Sequence, residues 1–110
     1  MRGFVTAALE SGGDFHVTQA KSGFEALKLL PRGQYNLIIS DINMPDINGL
    51  ELVRFIRESE KHATTPLILI STDNRPADVD RGMKLGANAY LTKPFQPGDL
   101  LETVRKVMGR

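Results

Sequence analysis

Two spacings of apolar residues take turns along the chain. Phe4, Val5, Ala8 and Leu9 recur at helical intervals until Gly12-Gly13 interrupt them, so the chain opens in a helix. Phe15 to Ala20 alternates apolar and polar side chains of β-compatible type, which predicts a strand. Ser22-Gly-Phe-Glu25 has the capping-box arrangement, and the helix it starts should end before Pro31. Leu37-Ile38-Ile39 is a continuous apolar run closed by Ser40-Asp41, as suits a strand buried on both faces of a parallel sheet. Beyond the loop from Asp41 to Gly49, a helix with Leu52, Phe55 and Ile56 inward is expected to run to about Ser59. Leu67 to Ile70 repeats the apolar strand and again ends in polar residues, Ser71-Thr72-Asp73. Pro76 opens a helix with Val79 and Met83 on one face and Gly86 as its stop. Ala89 to Thr92 makes a last strand, and Pro97 starts a helix carrying Leu100, Leu101, Val104 and Val107.

The resulting order, α-β-α-β-α-β-α-β-α, has four strands and five helices. Alternation with short connections implies parallel strands joined by crossovers, with helices on both faces: a doubly wound α/β domain over residues 1–110. The chain's 110 residues suit one compact unit, and no linker or repeat divides it. In such sheets the functional crevice lies beyond the carboxyl ends of the strands. Asp41, Ser71, Thr72 and Lys93 all fall there.

Charge narrows the possibilities. Lys and Arg number 14 against 13 Asp and Glu, so no net field draws the chain to nucleic acid or to an anionic membrane. No apolar run approaches the roughly twenty residues of a membrane span, and no secretion signal opens the chain. The absence of cysteine removes disulfides and thiol chemistry, and a cytoplasmic setting fits. His16 and His62 are far apart and read as a strand residue and a loop residue rather than as ligands.

What remains is a carboxylate from Asp41, a hydroxyl from Ser71 and an ammonium from Lys93, each delivered by a different strand. Such a set can handle a phosphoryl group, whose transition state spreads negative charge over oxygens that need counter-charge and hydrogen bonds. Polar residues at strand ends are also ordinary solvated loop residues, so the trio alone is only suggestive.

Two segments go further. Leu37-Ile-Ile-Ser-Asp41-Ile-Asn-Met-Pro45-Asp-Ile-Asn-Gly49 resembles the phosphoacceptor segment of two-component response-regulator receiver domains, and Tyr90-Leu-Thr-Lys93-Pro94-Phe95 resembles their lysine-proline signature. With Ser71 at the expected interval, the resemblance covers the whole chain. It implies a flavodoxin-like fold similar to the chemotaxis receiver, in a signalling phosphoacceptor rather than an enzyme. By the resemblance, Asp41 takes phosphate from the phosphohistidine of a sensor histidine kinase or phosphotransfer protein and ligates Mg2+, to which Asn43 offers its backbone carbonyl. Ser71 and Lys93 would hold phosphoryl oxygens. Tyr90 would swing inward as Ser71 is drawn to the phosphate, repacking a surface for a downstream target protein. Thr72, Asn43 and Asp73 would modulate phosphate lifetime, and Lys93-Pro94 would be cis.

The sequence departs from the family at its start. Members begin with a strand ending in two adjacent acidic residues that hold the magnesium, whereas Met1-Arg2 stands where the family is entering its first helix, a difference of roughly fifteen residues. On that reading the central strand is missing, magnesium affinity and with it self-phosphorylation are severely reduced, and two outcomes follow. Either the strand over Phe15 to Ala20 closes onto the one at Leu37 to Ser40, or a second chain fills the gap as a homodimer or by strand exchange. A third possibility is that Met1 is internal to a longer protein. The rival function is a phosphorylation-independent protein-interaction module. A flavodoxin-like cofactor binder lacks its Gly-rich turn here, and an aspartate-nucleophile phosphatase would need a second aspartate where Asn43 stands.

Overall fold

The computed structural model describes residues 18, 22–33, 35–42, 46–71 and 76–109. Within them the order is α1 (Gly23–Leu29), a 3-10 turn (Leu30–Arg32), β1 (Ile38–Asp41), α2 (Gly49–Glu58), β2 (Leu67–Ser71), α3 (Pro76–Leu85), β3 (Ala89–Thr92) and α4 (Pro97–Met108). The expected opening helix lies outside the described residues, as does the strand over Phe15 to Ala20 apart from exposed Thr18. The closing of that strand onto β1, and its alternative of a second chain, therefore turn on residues outside this description.

The three described strands form one parallel sheet in the order β1-β2-β3. Ile38 to Asp41 pair with Leu67 to Ile70, and Ile68 to Ser71 pair with Ala89 to Thr92. β2 is central and buried along its length. Its side chains alternate between two cores, as the period of a strand requires. Leu67 and Leu69 face Leu50, Leu52, Val53 and Ile56 of α2, with Ala26 and Leu27 of α1 and Ile38 packed beside them. Ile68 and Ile70 face Leu100 and Val104 of α4, joined by Ile39, Leu91 and Leu101. Burying each of these aliphatic side chains contributes about 2 kcal/mol. A strand covered on both sides explains the unbroken apolar run Leu67-Ile-Leu-Ile70.

Local signals set the helix ends. Ser22 Oγ accepts from the Glu25 N–H at 3.1 Å, and Asn48 Oδ1 accepts from the Leu50 N–H at 2.8 Å, starting α1 and α2. At α4 the Asp99 Oδ2 accepts from the Gln96 N–H at 3.0 Å, and the Asp99 N–H donates to the Gln96 carbonyl. As expected, α1 ends before Pro31. The α-helix ends at Leu29, and Pro31 sits in the first positions of the following 3-10 turn, where its missing N–H has no partner to lose. Phe55, assigned inward, is instead exposed at 50%, and Met83, placed with Val79 on one face of α3, is 41% exposed. In α2 the buried stripe runs through Leu52, Val53 and Ile56. Phe55 lies one residue, or about 100° of helix, away from Ile56.

The amino ends of the strands are tied by a side chain whose partners no local pattern announces. Arg57, at the end of α2, donates to the carbonyls of Gly86 (2.9 Å), His62 (3.0 Å) and Thr65 (2.7 Å), and to Asn88 Oδ1 (2.9 Å). Asn88 Oδ1 also accepts from the Leu67 N–H, which starts β2. His62 is a loop residue as expected, but it is fully buried. Its Nε2 donates to the Leu30 carbonyl, since a carbonyl only accepts, and its Nδ1 faces Thr65 Oγ1. Replacing Arg57 with alanine leaves these carbonyls short of donors and should cost about 2 kcal/mol. Urea unfolding should show a lower midpoint at unchanged slope; an unshifted midpoint would mean that water replaces the guanidinium at no cost.

Candidate functional site

The site is assembled where the strands end. β1 terminates at Asp41, and the next amide, Ile42 N–H, still donates to the Ile70 carbonyl at 3.0 Å, so Asp41 is held in register beside the end of β2. Ser71, the last residue of β2, is fully buried. Its carbonyl accepts from the Lys93 N–H at 2.8 Å, which extends the β2–β3 ladder one residue past Thr92. Main-chain pairing thus sets Asp41, Ser71 and Lys93 at the same end of three adjacent strands.

The side chains complete the convergence. Lys93 Nζ lies 2.5 Å from Asp41 Oδ2, across 52 residues of sequence. The two side chains are 20% and 26% exposed, so the ion pair is shielded from bulk water yet open to an incoming group. The Lys93–Pro94 peptide bond is cis, as the resemblance implied. Tyr90 is half-buried in β3 and packs against the α2-side core. A Cβ at Gly82 of α3 would only touch the tyrosine ring, at 3.6 Å, but would crowd Leu69 Cδ1 at 2.8 Å. Asn43, Thr72 and Asp73 lie outside the described residues.

The loop that follows Asp41 is anchored at two points. At its base the Gly49 N–H donates to the Ile42 carbonyl at 2.9 Å. Farther along, Asp46 reaches the amino end of α1, where its Oδ1 accepts from Gly23 N–H at 3.2 Å and its Oδ2 from Phe24 N–H at 3.0 Å. The Phe24 amide holds the Asp46 carboxyl below the usual carboxylate range; the Gly23 amide acts in the same direction, and partial desolvation opposes both. A carboxylate at a helix amino terminus is also favoured by the helix dipole.

A carboxylate whose pKa is lowered by folding stabilises the fold above its unfolded pKa, here near 3.8, and that contribution disappears as pH falls through the lower folded value. Asp46→Asn removes the titration. Wild type should therefore be the more stable protein at neutral pH, with the gap closing under acid, as followed by urea midpoints at a series of pH values. A gap independent of pH would contradict this.

No three His, Cys, Asp or Glu side chains among the described residues gather as a metal-holding group, and Asp41 already faces the Lys93 ammonium. Magnesium is held by one or two carboxylates together with waters and phosphate, and among the described residues Asp41 is the carboxylate at this strand end.

Comparison with known proteins places this geometry in context. Residues 1–105 match the family model described as response regulator receiver domain. The chain is a response regulator receiver domain. It is 37% identical over 110 residues to the chemotaxis protein CheY homolog of Campylobacter jejuni, covering 99% of this chain and 85% of that protein. It is 36% identical to the chemotaxis protein CheY1 of Helicobacter pylori, covering 99% and 89%.

Among solved structures, the chemotaxis response regulator CheY4 of Vibrio cholerae superposes with a TM-score of 0.90 at 35% identity, covering 96% of this chain and 88% of that one. The receiver domain of the sensor histidine kinase PA1611 from Pseudomonas aeruginosa, a structure with a magnesium ion coordinated in its active-site cleft, superposes at 0.88 with 28% identity, covering 99% and 88%. The receiver's doubly wound parallel architecture follows from these likenesses. Receiver domains are signalling proteins that work with histidine kinases and downstream targets, and as a family they bind Mg2+. None of the described helices is long and apolar enough to cross a membrane.

Sequence reasoning located Asp41, Ser71 and Lys93 by their places at strand ends, but it missed Asp46 as an anchor. Its partners lie 22 and 23 residues away, beyond the reach of any local capping pattern.

Proposed function

We propose that this receiver takes a phosphoryl group onto Asp41 from the phosphohistidine of a sensor histidine kinase or phosphotransfer protein. In this reading a carboxylate oxygen of Asp41 attacks phosphorus, the new O–P bond forms as the P–N bond breaks, and the N–P electron pair stays on the departing nitrogen, so that a ring protonated on its other nitrogen leaves as neutral imidazole. Lys93 is close enough to the carboxylate to neutralise an oxygen of the incoming group, and Ser71 stands on the strand between them. The observation that carries the proposal is the contact of Lys93 Nζ with Asp41 Oδ2 at the carboxyl end of the sheet.

Signalling would follow from repacking. Ser71, drawn toward the phosphoryl group, makes room for Tyr90 to turn inward, and the surface around β3 and α4 changes for a downstream target. Asn43, Thr72 and Asp73 would set the lifetime of the phosphorylated state through the attacking water. Magnesium, when bound, supplies positive charge to the phosphoryl oxygens. Its affinity in this chain is proposed to be weak, because Asp41, the side-chain ligand that the resemblance assigns to it, already faces an ammonium.

The test is to mix the protein with acetyl phosphate and magnesium and weigh the intact chain. A gain of one phosphoryl group, lost on alkaline treatment as an acyl phosphate would be, is expected. No gain at any magnesium concentration would favour a receiver that binds its partner without phosphorylation.

A further inference from the structure

The amino end of α1 and the loop after the acceptor aspartate share one carboxylate. Ser22 Oγ satisfies the Glu25 amide, and the two amides before it, those of Gly23 and Phe24, are satisfied by the two oxygens of Asp46. This is a cap supplied from another part of the chain. A local cap stabilises only its own helix, whereas a borrowed one also fixes the segment that supplies it.

That segment is the stretch between Asp41 and α2. It leaves the sheet at Ile42, whose amide is bonded to the Ile70 carbonyl, and it returns at Gly49, whose amide is bonded to the Ile42 carbonyl. Gly49 packs so closely that a Cβ would meet Ile42 Cα at 2.5 Å and the Asp41 carbonyl oxygen at 2.6 Å. The base of the loop is therefore pinned against the acceptor's own backbone. Without Asp46 its outer part would lose the one described tie to α1.

We infer that Asp46 is a positioning residue for phosphoryl transfer: by gripping the first two amides of α1 it fixes the loop after Asp41, and so the geometry in which Asp41 meets its donor. The inference rests on the phosphoacceptor reading above. Asp46 need not touch phosphorus to matter, because small misplacements of reacting groups carry large rate penalties.

Two measurements on Asp46→Ala test it, both made where circular dichroism shows the variant fully folded. The first is amide hydrogen exchange, in which Gly49 and residues 46–48 should exchange on the order of tenfold faster while α4 is unchanged. The second is the rate of phosphorylation by acetyl phosphate, which should fall on the order of tenfold. Asp46→Asn, which keeps one cap acceptor, should recover part of both. Unchanged exchange at Gly49 and at 46–48 would overturn the inference, as would faster exchange with an unchanged rate. If wild type itself takes no phosphoryl group, the phosphoacceptor reading fails and the positioning role fails with it, while the exchange arm still reports whether Asp46 holds the loop.

Discussion

Asp41→Asn should abolish phosphoryl uptake while leaving the fold in place. The amide matches the carboxylate in size and shape, so packing at the end of β1 is preserved. It lacks the anionic oxygen that attacks phosphorus, and it faces Lys93 without charge. The exchange should cost about 2 kcal/mol in a urea titration, since a largely buried ammonium loses its counter-charge while the amide oxygen still accepts its hydrogen bond. With acetyl phosphate the intact mass should not change under conditions that convert wild type. Lys93→Ala, which removes the cation but keeps the nucleophile, should slow uptake on the order of a hundredfold rather than stop it. Phosphorylation of the Asp41→Asn protein at the wild-type rate would move the acceptor elsewhere and remove the basis of the proposed function.

The second large effect is expected at a residue with no chemistry of its own. Gly49→Ala would place a methyl group 2.5 Å from Ile42 Cα and 2.6 Å from the Asp41 carbonyl oxygen. Carbon atoms settle at about 3.5–4 Å, and both obstacles are main chain, so relief requires moving the end of β1 or the start of α2. We expect a loss of about 3 kcal/mol, at the upper end of what overpacking costs. A fall in phosphorylation rate should accompany it, because the displaced backbone is that of Asp41. Gly98→Ala is the matched control. It lies in the first turn of α4 with nothing within 4 Å of the added carbon. There alanine should be neutral or stabilising by up to about 1 kcal/mol. Equal urea midpoints for the two variants would show that the close approach at Gly49 is not limiting.

Both predictions concern one short stretch, and that stretch shows how far the sequence could be read. The run Leu37-Ile-Ile followed by Ser-Asp announced a strand with a carboxylate at its end, and the structure has β1 ending at Asp41. The same reasoning placed β3 at Ala89 to Thr92 and opened α4 at Pro97, as observed. These features were legible because periodicity, caps and turn residues act over a few positions.

The failures were of two kinds. Phe55 was assigned inward because it is apolar, yet which apolar residues of a helix are covered depends on where the neighbouring layer stops. Asp46 and Arg57 carry no local pattern that marks their roles. Their roles come from partners 22 to 23 residues away for Asp46 and up to 31 away for Arg57.

The sequence by itself determined the order of helices and strands over the described residues, the identity of the groups at the strand ends, and the family to which such an arrangement belongs. All of these are written in spacings of a few residues. Only the tertiary structure decided that Lys93 Nζ meets Asp41 Oδ2 and that the loop between β1 and α2 is hung from the amino end of α1. The physical reason is that burial of apolar surface has no direction. It drives the layers together, but the register of parallel strands and the hydrogen bonds formed after collapse choose which distant polar atoms end up within reach of each other.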